Sequence, residues 1–76
     1  MYVNLLDFRS GVQQIRAVIR VEQGEVRIHT PLQMKPLPPH ILETVNECRQ
    51  HFPNTFLEEL PKVFSGTYLR AELRDD

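Results

Sequence analysis

The sequence predicts an α+β fold. A two-layer sandwich is expected, its four-stranded antiparallel sheet carrying two short helices on one face, in the order β-β-β-α-α-β. Three observations predict it. Apolar and polar residues alternate over Gln14–Val21, Glu25–His29 and Thr67–Arg74, as strands with one buried face require. Ile41, Val45, Cys48 and Phe52 recur at i, i+4, i+7 and i+11, the buried stripe of an amphipathic helix. Between these patterns, Thr30–Pro39 holds four prolines, which break ladders and carry the chain extended off the sheet.

Met1–Phe8 reads as the first strand, joined to the second through Arg9-Ser10-Gly11. A three-residue hairpin loop often ends in a left-handed glycine, which Gly11 supplies. With Phe8 opposite Val12, Leu5 meets Ile15 and Val3 meets Ala17, on the same face as Ile19 and Val21. A two-residue turn at Gln23-Gly24 then pairs Val21 with Val26 and Ile19 with Ile28. Arg20 faces Arg27 and Glu22 faces Glu25 on the other side, each arginine with a glutamate diagonally across. Both turns deliver one consistent core face.

The proline-rich connection, Thr30–Pro39, is expected to pin Met34 and Leu37 to the core. A helix starts at about Pro39, since proline suits a first turn, and Pro53 ends it. Thr55-Phe56-Leu57-Glu58 has capping-box spacing and opens a second helix with Phe56, Leu57, Leu60, Val63 and Phe64 on its apolar side. Pro61 within it predicts a kink or two short helices, and Gly66 a stop. Thr67–Arg74 is the last strand. It joins antiparallel to the first or third strand, and the sequence leaves that choice open.

With 76 residues the chain fits a single small domain, 1–76, and a thin core. Leu, Ile, Val and Phe make up about a third of it, enough to pack rather than stay disordered. Its apolar runs are too short for a membrane span. Cys48 is alone, which excludes an internal disulfide or multi-cysteine zinc site and fits a reducing, cytoplasmic setting. Nine basic against ten acidic side chains give no overall attraction to polyanions.

The face turned away from the helices is the informative one. Tyr2, Leu6, Phe8, Val18 and Tyr68 are the expected contacts there, with Arg16, Arg20, Arg27 and Arg70 setting orientation. Tyr2 and Phe8 are expected to share an apolar corner with Leu6, Val12 and Val18. Clustered apolar groups on an open face mark a partner, and Tyr, Phe and Arg are enriched in interface cores. The expected function is therefore non-enzymatic binding, to a second copy as a homodimer or to another protein. Arginine interleaved with aromatics also fits single-stranded nucleic acid, but five arginines against three glutamates are few beside the roughly 6–10 phosphates such proteins neutralise. A small enzyme with its site at a dimer interface is a third reading.

Other candidates are weaker. His40, Thr44, Glu47 and His51 share a helix stripe, yet a metal needs three or four donors, so neither metal nor cofactor is expected. Cys48 beside His51 resembles a thiol and base, but a buried thiol is inert. Lys35-Pro36-Leu37-Pro38-Pro39 could be read as a polyproline ligand, though its role as a connection explains it already.

Overall fold

A computed structural model describes residues 1–31 and 35–75. Its elements are β1 (Tyr2–Asp7), β2 (Gln14–Glu22), β3 (Glu25–His29), α1 (Pro39–His51), α2 (Phe56–Val63) and β4 (Leu69–Arg74). The sheet order is β3-β2-β1-β4 with all neighbours antiparallel. The last strand thus takes the outer side of β1, leaving β3 as the opposite edge.

The β2–β3 hairpin has the expected register, Val21 facing Val26 and Ile19 facing Ile28. Gln23 (φ 52°) and Gly24 (φ 78°) both adopt positive φ, as in a type I′ turn, whose twist matches that of the flanking strands. Relief of the like-charge pairs comes along the strand: Arg27 bonds Glu25 at 2.9 Å.

The β1–β2 connection departs from expectation. The loop runs from Phe8 to Gln13, longer than three residues, and Leu5 faces Ala17 while Val3 faces Ile19. A two-residue slip preserves the facing, so these four residues still line the core. A bulge then intervenes: Leu6 pairs with Ile15 directly after Leu5 pairs with Ala17, leaving Arg16 as the extra residue. Ile15, expected in the core, is therefore on the open face with Leu6, 43% exposed. Arg16 leaves the open face and donates to the carbonyls of Lys35 and Pro36.

Leu37 is buried as expected, whereas Met34 lies outside the described residues. Pro38 caps α1 in an extended conformation and Pro39 takes the first helical position. Ile41, Val45 and Cys48 are buried, but Phe52 sits at the C-cap and stays exposed. The capping box does not form: the Thr55 side chain makes no cap bond, and its carbonyl accepts from Glu59 N–H at 3.0 Å. α2 runs through Pro61 as one helix, burying Phe56 and Leu60; Phe64, its C-cap, is buried as well, while Val63 faces out. α2 packs chiefly on β4 and reaches β1 and β2. Val3, Leu5, Ala17, Ile19 and Ala71 of the sheet meet Leu37, Ile41, Val45, Cys48, Phe56, Leu60 and Phe64 in one core.

Past α2 the chain turns back tightly. Ala71 N–H donates to Phe64 O at 2.8 Å and Gly66 N–H to Leu69 O at 3.1 Å. The strand thus begins at Leu69, not Thr67, although Tyr68 O still accepts from Phe8 N–H at 2.8 Å.

Candidate functional site

Neither helix covers the second face of the sheet, and the registers define its rows. Across one end run Arg27, Arg20, Tyr2 and Arg74; across the middle His29, Val18, Asn4 and Glu72; then Ile15, Leu6 and Arg70. Phe8 and Tyr68 follow, joined by their main-chain bond.

Tyr2 and Phe8 do not share a corner. They stand six residues apart along one extended chain, about 20 Å at the usual strand rise. At the Tyr2 end the groups are mostly charged and internally matched. The Arg20 guanidinium lies 4.5 Å from the Tyr2 ring centre, Arg74 bonds Glu72 at 2.8 Å, and Arg27 bonds Glu25.

The apolar groups collect at the other end. Tyr68 is 61% and Ile15 43% exposed; Phe8 is half-buried, with the Arg70 guanidinium 4.4 Å from its ring centre. Val12 stands 66% exposed in the adjoining loop. Leu6 is buried beneath these neighbours, only 4% exposed, so it supports the patch rather than offering surface. Val18 is half-buried in the middle row. The structure therefore brings Leu6, Phe8, Tyr68 and Arg70 together, separates Tyr2, Arg20 and Arg27 from them, and removes Arg16. Ile15 is the member that sequence reading missed. It fits the core alternation of Gln14–Val21, and only the bulge turns it outward.

Arg16 instead belongs to a corner on the helix side. There Asp7 is buried and accepts from Arg9 three ways: from the main-chain N–H at 2.8 Å, from Nε at 3.0 Å and from an Nη at 2.7 Å. The Arg9 side-chain bonds, helped by its N–H, hold the Asp7 carboxyl below its ordinary value of 3.8. These residues, with Leu37, His40 and Ile41, edge a cavity of about 130 Å³, against the ~300 Å³ at which ligand pockets usually begin. Asp7 thus has the environment of a satisfied structural carboxylate.

The remaining sequence candidates are accounted for within the fold. Burial pushes the Cys48 thiol up, away from the thiolate a nucleophile needs, and its sulfur lies 3.9 Å from Phe56 O. Thr44 Oγ1 donates to His40 O at 2.9 Å within α1. Among the described residues no three of His, Cys, Asp or Glu converge as a metal site. No helix among them is long and apolar enough to cross a membrane. Comparison with protein families, characterised proteins and solved structures found no match.

Proposed function

We propose that this chain is a small non-enzymatic interaction domain that binds a protein partner through the apolar end of its open sheet face. The observation that carries the reading is the placement of exposed Ile15 and Tyr68 around Phe8, over buried Leu6 and beside Arg70. Aromatic and arginine groups gathered over a desolvated floor are the composition of interface centres. The matching partner offers an apolar projection with a carboxylate beside it for Arg70.

Charge favours a different protein over a second copy at this face. With Arg16 removed, its strands carry Arg20, Arg27, Arg70 and Arg74 against Glu22, Glu25 and Glu72, a net positive surface. Two such faces apposed would set arginines against arginines. Single-stranded nucleic acid is disfavoured further, because Arg20 and Arg70 already occupy one face of Tyr2 and of Phe8, the rings that would stack on bases.

Affinity capture with the wild type, the Ile15→Asp/Tyr68→Asp variant and a Gln50→Asp variant on α1 tests this. All three exchange exposed groups and are expected to fold. A protein retained by the wild type and Gln50→Asp, and at least tenfold depleted on the double variant, is the expected result. Equal retention by all three removes the apolar patch as the binding surface.

A further inference from the structure

We infer that β3 is the edge through which two copies of this chain join, antiparallel, with Val26 opposite Ile28 of the second copy. An edge strand presents N–H and C=O groups that can template another chain, and the two edges of this sheet differ. On β4, Ala71 N–H is already spent on Phe64 O and Leu69 O on Gly66 N–H, so the chain folds back over half of that edge. Among the described residues no comparable return bonds the main chain of β3.

The outward groups follow from the ladder. Phe8 N–H donates to Tyr68 O, so even-numbered residues of β1 point toward β4 and odd-numbered ones toward β2. Carried through the strand registers, this aims Glu25, Arg27 and His29 at β2, and Val26 and Ile28 outward. The positive-φ turn at Gln23 and Gly24, closing on Glu22 and Glu25, gives the same assignment independently. The free window is short. Gly24 O at one end accepts from the Arg49 guanidinium at 3.1 Å, and the strand ends at His29 at the other.

That window is self-complementary. Two copies joined edge to edge and antiparallel are related by a two-fold axis normal to the sheet. This keeps both helix layers on one side and requires facing residue numbers to have an even sum. With Val26 against Ile28 of the second copy, both pairs close, making four main-chain bonds. Glu25 then faces His29 of the second copy, and Arg27 faces its own symmetry mate, each Arg27 neutralised by its own Glu25 at 2.9 Å. Sliding so that Val26 faces its own mate directs Ile28 at Gly24, which lies in the turn outside the strand with its carbonyl taken, and leaves two bonds between strand residues. Val26 and Ile28, half-buried on the helix side, also meet across the seam. This edge is separate from the open-face patch and does not depend on its role.

A ladder this short is a small interface, so light scattering should span about 10 μM to 1 mM, over which the mass is expected to rise from 8.9 kDa toward twice that value. Val26→Pro removes an outward N–H that β2 does not use, which edge strands tolerate. It should keep the wild-type circular dichroism and return the mass to monomer. Oxidised Arg27→Cys should form a covalent dimer, since facing residues of that kind lie about 4.5 Å apart, within disulfide reach. Glu25→Cys should not, its mates being offset by four residues, roughly 13 Å. A monomer throughout, a dimer indifferent to Val26→Pro, or equal cross-linking by both cysteine variants overturns the inference.

Discussion

The guanidinium of Arg70 on β4 lies 4.4 Å from the ring centre of Phe8, the first residue after β1. Together with the Phe8 N–H bond to Tyr68 O, it fixes the end of the sheet where the apolar groups gather. The patch is thus built by the end of β1 and the start of β2, consecutive in sequence, together with the distant entry to β4.

Removing that contact has a readable consequence. Arg70→Ala is expected to lower stability by about 0.5–1 kcal/mol, the worth of an exposed cation–π contact, and Arg70→Lys by less. Thermal unfolding of the two variants beside the wild type measures it.

Asp7 gives the protein an acid-sensitive element. Its folded-state pKa lies below the ordinary 3.8 because Arg9 bonds its carboxylate, so folding favours the ionised form. The contribution is complete above the ordinary value and is lost as pH falls from there through the folded-state value. Asp7→Asn should therefore cost about 0.5–1 kcal/mol near neutral pH, as for a partly exposed pair, and the gap to wild type should close on acidification. Urea unfolding at pH 7 and pH 3 checks both the size and the sign.

The β2–β3 turn offers substitutions of opposite sign. Gly24 has φ 78° with open space around its Cβ position, so Gly24→Ala meets only backbone strain, about 1–2 kcal/mol. Gln23 has φ 52°, a conformation asparagine tolerates better, and Gln23→Asn should stabilise by a few tenths of a kcal/mol. Denaturant midpoints that move the same way would contradict this assignment of the turn.

Phe56 and Leu60 are fully buried between α2 and the sheet. Phe56→Ala is expected to cost about 3–5 kcal/mol and Leu60→Ala about 2–5. For a domain of this size that is much of the total stability. Chemical denaturation should show midpoints far below the wild type, and losses under 1 kcal/mol would mean that α2 is not docked on the core.

The element order was legible because each signal was local. Period-two runs, the proline break and the 3.6-residue stripe of α1 need no knowledge of distant residues, and Gln23-Gly24 alone sets the β2–β3 register. The β1–β2 register was not local. Gly11 takes the positive φ expected of it, yet the loop around it runs on to Gln13, and nothing in the alternation marks Arg16 as the bulge. That residue decides the candidate site, since it turns Ile15 outward and sends its own side chain to the carbonyls of Lys35 and Pro36. The edge taken by β4 was equally hidden, being set by the tight return from Phe64 to Ala71.

Site-specific photo-cross-linking in cells tests the protein-binding reading most directly. A photoreactive residue is placed at Tyr68 in one experiment, at Ile15 in a second and at Gln50 on α1 in a third. One discrete adduct to the same protein from Tyr68 and Ile15, and none from Gln50, is the expected result. Adducts from Gln50 alone, or no adduct from either open-face position, would contradict it.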